Sequence, residues 1–320
     1  MKKAVVTGAN SFIGYRLCKV LEEHGYFVYA IIRRDNQNNF HLCSLKNIAV
    51  IYEEMKDYKN ISSIIGDCCD VGVALAWDGT RGDAREDAEK QRNNYVYSME
   101  CVKSFIQAGC SVVVTAGSQA EYGSWYSNGQ LSEEVLCRPN TEYGKYKLKL
   151  YEEAVSVCEE SHVRLIEPRF FSLYGPDDYE GTMIISILSD MLHDRVCKLT
   201  QCIQQWDFLY VEDAVDALFR LIDSKSSCGV YNFGYGRARE LKEYVMLMYE
   251  LTKSHSLLEF GAIPYPSTGM VNTNPSIEKL CKEISWKPQI SFEEGIMRVI
   301  DKMRKTEQKY EKDQYCRSLF

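Results

Sequence analysis

Residues 5–14 read VVTGANSFIG, an apolar run that breaks at Gly8 and passes through Asn10 and Ser11 into FIGYRLCKVLEEHG at 12–25. The apolar run, KAVVT at 3–7, predicts a short buried strand. The stretch after it has helical periodicity and stops at Gly25, a residue suited to a helix C-cap. A strand that opens into a helix through glycines leaves free backbone N–H groups at the positive end of the helix, where a pyrophosphate binds. Gly8 and Gly14 stand at the first and last glycine positions of such a turn and Ser11 takes the middle one, so the pattern is G-x-x-S-x-x-G. The stretch predicts a dinucleotide-binding start to the fold, with Gly8, Asn10, Ser11, Phe12, Ile13 and Gly14 against the ligand. An ordinary strand–helix connection that carries glycines is the simpler alternative.

Working outward, apolar runs keep alternating with helical patterns. FVYAII (27–32), IAVIY (48–52), VGVALA (71–76), SVVVT (111–115) and VRLIEPRFF (163–171) read as strands, with a long helix from ARED (84–87) to Gly109 and another around Tyr143. Parallel strands need crossover helices, so this alternation predicts an α/β Rossmann fold, a doubly wound parallel sheet. After Pro176 the regularity breaks. EGTMIISILSDMLHD (180–194) is a helix outside the series, WDFLYVEDAVDALFRLID (206–223) a strand and helix able to return to the sheet, and GVYNFG (229–234) a further strand. The expected division is a Rossmann domain of residues 1–175, with 205–236 returning to it, and a smaller C-terminal α/β substrate-binding lobe of 176–204 and 237–320. At 320 residues the chain exceeds a single ordinary core, which fits that division. Alternating charges in the tail at 301–320 predict a solvated helix.

A net charge of −7 and a pI near 5.5, with no long basic stretch, argue against a general nucleic-acid binder. The N-terminus lacks the longer apolar core of a signal peptide and no run approaches a membrane span, so a cytoplasmic protein that meets no membrane is expected. The 13 cysteines are odd in number, scattered, and without a C-x-x-C pair; DCCD at 67–70 has no partners at metal-ligand spacing, and the five histidines are isolated. They read as reduced thiols with no metal site.

The second strand ends AIIRRD (30–35), placing Arg33 and Arg34 after its tip. Guanidinium holds the extra phosphate of NADP where a carboxylate would repel it, so NADP(H) is favoured; Asp35 keeps NAD possible. The fifth strand runs into TAGSQAEYG (115–123), putting Ser118 just past a strand's C-terminal end, where open α/β sheets bind ligands. NTEYGKYKLKL (140–150) carries Tyr143 and Lys147, four apart and so on one helix face. About one or two Tyr-x-x-x-Lys matches arise by chance in a chain this rich in both residues, and Tyr52/Lys56 and Tyr249/Lys253 also match. Only this pair follows a strand-end serine, Tyr143 standing 25 residues after Ser118.

The ordered set TGANSFIG (7–14), RNNYVYS (92–98), SQAEYG (118–123), YGKYK (143–147), PRFFSLYGP (168–176) and WDFLYVEDAVDA (206–217) resembles the extended short-chain dehydrogenase/reductase family, the NAD-dependent epimerase/dehydratase group, over nearly the whole chain. The resemblance implies an NAD(P)-dependent oxidoreductase acting on a nucleotide-diphosphate sugar, with Ser118, Tyr143 and Lys147 catalytic and Leu75, Ala76, Asn94 and Pro168 joining the cofactor site. It implies that Lys147 reaches the nicotinamide ribose and that its charge helps bring the Tyr143 phenol into range as an acid–base. It further implies a homodimer paired through the helices at 84–108 and 142–160, and, by analogy of fold and motif, a place in polysaccharide biosynthesis.

Within the family, 4,6-dehydratases place an Asp-Glu pair directly after the Ser/Thr. Gln119 and Ala120 stand here, and Glu121 comes one place late, so a dehydratase is disfavoured; Ala120 also removes the cysteine of the epimerase–reductase type. A 4-ketoreductase and a 4-epimerase with tightly bound NAD remain. Arg33 and Arg34 favour the first, as do LEFGAIPYPSTGMVNTN (258–274) and WKP (286–288), which resemble the 4-keto-6-deoxyhexose reductases of the CDP-abequose/CDP-paratose synthase group. Departures gather where the sugar nucleotide is expected. Ser172 replaces an Asn, Trp206 replaces a diphosphate-clamping Arg, and LAWDGTRG (75–82) brings Trp77, Asp78, Thr80 and Arg81 to the sugar, with Arg81 or Arg237 as the replacement cation. A sensor or scaffold that binds NADP without turnover is the non-enzymatic rival; such proteins commonly lose the Tyr or Lys that this chain keeps.

Overall fold

The computed structural model describes residues 1–34, 40–66, 69–124, 129–265 and 270–317; Asp35 and Cys68 lie outside them. In chain order the strands are β1 (Lys3–Thr7), β2 (Phe27–Ile32), β3 (Ile48–Tyr52), β4 (Val71–Ala74), β5 (Val112–Thr115), β6 (Gly117–Ser118), β7 (Arg164–Phe170), β8 (Ser172–Tyr174), β9 (Cys197–Leu199), β10 (Gln205–Trp206), β11 (Phe208–Tyr210), β12 (Gly229–Phe233), β13 (Arg239–Glu240) and β14 (Leu258–Phe260). The helices are α1 (Gly14–Glu23), α2 (Phe40–Cys43), α3 (Ile61–Ile65), α4 (Ala88–Gln107), α5 (Glu142–Glu160), α6 (Met183–Leu192), α7 (Val211–Asp223), α8 (Leu241–Thr252), α9 (Glu278–Ile284) and α10 (Phe292–Arg317).

The main sheet runs β12-β7-β5-β4-β1-β2-β3, with β6 continuing beside β7, and every pairing in it is parallel. From β1 the chain winds out to β3, then crosses back to β4 on the other side of β1. The order therefore reverses between β1 and β4, the place where open α/β sheets take ligands. Both faces are covered, so β4 and β5 read as unbroken apolar runs and are buried throughout. Alternate side chains of β1 feed two cores. Ala4 and Val6 pack with α1 and α7 on one face, and Val5 packs with α4 and α5 on the other. Each fully buried aliphatic side chain of this kind contributes roughly 1.5–3 kcal/mol.

A further cluster joins α6, α8 and α10 around Tyr174, Phe208 and Phe292. Of the segment 205–236, β12 joins the main sheet beside β7 and α7 packs against it. β11 instead pairs with β8, and β10 with β13, outside the sheet. Leu280 of α9 and Trp286, grouped with the lobe in the sequence reading, pack into the core of the parallel sheet. Trp286 is fixed there by its indole N–H on Asp216 at 3.0 Å. Among the described residues no helix is long and apolar enough to cross a membrane.

Candidate active site

At the end of β6 the chain turns sharply. The Ser118 hydroxyl accepts the Ala120 N–H at 3.2 Å, and the Glu121 carboxylate accepts the Ser118 N–H at 2.6 Å. α5 starts against this turn, capped by the Thr141 hydroxyl on the Gly144 N–H at 3.0 Å. Gly144 is needed for that approach, since a Cβ there would lie 2.4 Å from the Ala120 carbonyl oxygen. The first turn of α5 thus delivers Tyr143 to Ser118, and the next turn delivers Lys147, whose Nζ stands 5.8 Å from the centre of the Tyr143 ring.

Electrostatics at these groups differ from the simple picture of a lysine beside a tyrosine. Burial pushes the Tyr143 phenol above its ordinary value; a hydrogen bond with Ser118 and the charges of Arg85 and Arg81 pull it back, while Glu121 adds to the rise. Burial lowers the Lys147 ammonium to about 8, against the pull of Glu121 and Glu167. Its Nζ donates to the Ala116 carbonyl at 2.7 Å and sits 3.8 Å over the centre of the Trp77 ring. Trp77 also meets the Tyr143 ring in a T-shaped contact, centres 6.1 Å apart, and lines the two cavities at the β1–β4 reversal, neither of which Ser118, Tyr143 or Lys147 lines.

Beneath the site is a buried ionic cluster. Arg169 Nε donates to Glu121 at 2.7 Å and to Glu167 at 3.1 Å, with none of the three side chains more than 4% exposed. Glu121, the carboxylate one place too late for a dehydratase, is committed to this cluster and to the Ser118 turn.

Two cavities meet at the β1–β4 reversal. The smaller, about 160 Å³, is lined by Gly8, Asn10, Ser11, Ile32, Arg33, Leu75, Ala76, Trp77 and Asp78, with Met55 and Tyr58. The larger, about 660 Å³, shares Asn10, Ser11, Leu75 and Trp77 and continues past Phe12, Ile13, Thr80 and Arg81 to Ser172, Tyr179, Met183 and Trp206. The smaller one fits a dinucleotide's pyrophosphate. Gly8 has φ +66° and a Cβ there would lie 3.0 Å from the Ala76 nitrogen; Ser11 Oγ accepts the Gly14 N–H at 3.1 Å, closing the turn; and Asn10 Nδ2 is buried without a partner. Arg33 lines this cavity and an adjoining one that holds Lys56 and Lys90 together with Glu54, Asp87 and Glu89; Arg34, exposed like Arg33, lines neither.

The other residues singled out from the sequence divide. Trp206 and Ser172, the two departures from the family pattern, bond to each other, indole N–H to hydroxyl at 2.9 Å, in the wall of the larger cavity. Gln119 has a buried side-chain oxygen without a partner beside the Ser118 turn. Asp78 lines the smaller cavity and pairs with Lys90 at 3.6 Å. Asn94 grips the Asp78 backbone from both sides, donating to its carbonyl at 2.7 Å and accepting its N–H at 3.1 Å. Pro168 is buried inside β7 opposite Tyr231 and lines no described cavity. Arg237 is not brought to the cleft; its backbone N–H holds the buried Asp207 at 3.0 Å and the residue is exposed. Residues that the sequence reading passed over are Arg85, on the Tyr143 ring, and Gln91, fully buried, which accepts the Trp77 indole N–H at 2.7 Å and donates to the Gly79 and Ala84 carbonyls.

Residues 4–234 match the family described as NAD dependent epimerase/dehydratase. The chain is 23% identical over 311 residues to a CDP-abequose synthase of Salmonella typhimurium, covering 93% of this chain and 97% of that one. It is 25% identical over 326 residues to a dTDP-D-glucose 4,6-dehydratase of Mus musculus, covering 95% and 89%. Among solved structures, a UDP-glucose 4-epimerase of Thermotoga maritima with UDP-glucose superposes with a TM-score of 0.86 at 21% identity, over 95% of this chain and 99% of that one. MoeE5 in complex with UDP-glucuronic acid and NAD gives 0.82 at 24% identity over 95% and 99%. At these identities the structures carry the fold.

Proposed function

Because this chain belongs to the NAD dependent epimerase/dehydratase family, we propose that it is an enzyme acting on a nucleotide-diphosphate sugar, and that it reduces the 4-keto group of a nucleotide-linked 4-keto-6-deoxyhexose with NADPH. The observation that supports the reading is Tyr143 beside Ser118 with Lys147 one helix turn on, both Tyr143 and Lys147 in contact with the Trp77 that lines the two cavities, and Gln119 and Ala120 where an eliminating enzyme needs an acid and a base. Gly8, Asn10, Ser11, Gly14 and Arg33 would hold the cofactor; the cavity next to Arg33 sets Lys56 and Lys90 among Glu54, Asp78, Asp87 and Glu89, so the preference for NADPH rests on Arg33 and Arg34. When bound, that cofactor supplies hydride. Ser118 orients the sugar oxygen by a hydrogen bond, Tyr143 gives it a proton, and Lys147 supplies positive charge one helix turn away. Trp77, Thr80, Arg81, Ser172 and Trp206 bound the space for the sugar and its diphosphate.

The test is to follow loss of reduced nicotinamide absorbance when the protein meets NADPH and, in turn, TDP-, CDP-, GDP- and UDP-linked 4-keto-6-deoxyhexoses. Stoichiometric oxidation with one of them is expected and names the nucleotide. Silence with all four, together with co-purified NAD and interconversion of intact nucleotide hexoses, replaces the reductase by the 4-epimerase; binding of NADP with no turnover of either kind leaves the sensor. The reading also takes the protein as a homodimer through α4 and α5, and a monomer mass in sedimentation at micromolar concentration would remove that part alone.

A further inference from the structure

Arg85 ends the 3₁₀ turn Gly82–Arg85 in the connection between β4 and α4. Its guanidinium carbon lies 4.9 Å from the centre of the Tyr143 ring, nearer than the Lys147 Nζ at 5.8 Å. Among the described residues Arg85 forms no ion pair and donates no hydrogen bond, and its Nε is buried without a partner. Three nearby arginines are paired by contrast: Arg81 with Asp178, Arg16 with Glu212, and Arg169 with two glutamates. A buried N–H without a partner is a costly arrangement unless something else meets it. Here the face of an aromatic ring does, and a ring that carries a phenolate meets a cation better than a neutral one.

The placement is built rather than incidental. Gln91 Nε2 donates to the Ala84 carbonyl at 2.7 Å and to the Gly79 carbonyl at 2.9 Å, and Asn94 clamps Asp78, so two buried amides one turn apart on α4 fix the connection that carries Arg85. The charged groups that face the phenol from the surrounding elements are Glu121 from the Ser118 turn, Lys147 from its own helix, and Arg81 and Arg85 from this connection. Lys147 is turned toward Trp77 and the Ala116 carbonyl, which leaves Arg85 as the cation stacked closest on the ring.

We propose that Arg85 is a positioning residue of the active site that acts through Tyr143: its guanidinium, stacked on the ring with Nε unpartnered, favours the ionised phenol. The inference rests on Tyr143 being the acid–base group, not on which sugar is reduced.

The experiment replaces the tyrosines with 3-fluorotyrosine, whose ring is more acidic, and follows ¹⁹F NMR of the whole protein against pH, with Tyr143→Phe identifying the resonance. Arg85→Met, which keeps bulk without charge, should raise the ionisation midpoint of that resonance by about one pH unit, the size of a partly desolvated cation–π contact. Arg85→Lys should restore most of the shift, and NADPH titrations of all three proteins should coincide. A ring that titrates at the same pH in wild type and Arg85→Met, or in neither, overturns the proposal. So does an Arg85→Met protein with an unchanged midpoint and a raised KM for the sugar, which would make Arg85 a substrate clasp. A shifted midpoint in a protein that reduces none of the four keto sugars leaves this inference standing and removes the reductase.

Discussion

A Tyr143→Phe protein is expected to fold as wild type does and to bind NADPH unchanged, yet to lose turnover by about 10²–10⁴-fold, the usual contribution of a positioned acid–base group. The substitution removes one oxygen from a ring whose packing is otherwise kept: Trp77 still meets its edge and Arg85 its face. The buried phenol has Ser118 as its hydrogen-bonding neighbour, so the change strands one hydroxyl rather than a network. Measurement of kcat with the keto sugar that oxidises NADPH, beside a thermal melt and an NADPH titration, separates chemistry from folding. Turnover within tenfold of wild type would show that the proton comes from elsewhere.

Arg169→Met is expected to lower the free energy of unfolding by about 3–5 kcal/mol, the range for breaking a buried ion pair from one side. It leaves Glu121 and Glu167 facing each other at side-chain exposures of 0% and 2%. Burial first, and the neighbouring Glu121 charge second, already hold the Glu167 carboxyl well above the usual range. A carboxyl raised in the folded state keeps a proton that the unfolded chain has released, so stability falls as pH rises above the ordinary carboxylate range and is regained below it. The loss in Arg169→Met should therefore be largest at neutral and alkaline pH and shrink toward about pH 4.5, where the unfolded chain also holds the proton. Urea titrations at several pH values check both size and sign. A further exchange of both glutamates for glutamine should recover most of the stability, because it removes the stranded charges rather than the packing. A pH-independent loss would mean that Arg169 acts through its bulk alone.

Most of the parallel sheet was legible because its signals are local. Val112–Thr115 reads as a buried strand whatever surrounds it, and Gly109 ends the helix before it. Ser118, Tyr143 and Lys147 could be picked out because the strand end and the helix face that carry them are local features as well. The small strand pairs were not legible in this way. Nothing in WDFLY says that Phe208–Tyr210 pairs with Ser172–Tyr174 rather than with the main sheet, since both partners are equally apolar and the choice depends on where the lobe sits. Asn94 stood out as a helix asparagine, but its bonds to the Asp78 backbone depend on a loop 16 residues away.

The sequence by itself determined the alternating sheet, the glycine turn at its first strand, the family, and the serine, tyrosine and lysine that share a site. The sheet and the glycine turn rest on periodicity and spacing along one strand or helix, and the family and its serine, tyrosine and lysine on the resemblance of an ordered set of motifs, all of which a linear chain contains. Only the tertiary structure decided what faces those residues. It set Trp77 under the Lys147 ammonium, bonded Trp206 to Ser172 so that two departures from the family pattern complete one wall, buried Glu121 against Arg169, and laid Arg85 on the tyrosine ring. These contacts join elements apart in the chain, and a hydrogen bond or a ring contact needs its partners within a few ångströms, so the partners are fixed by packing and not by order along the sequence.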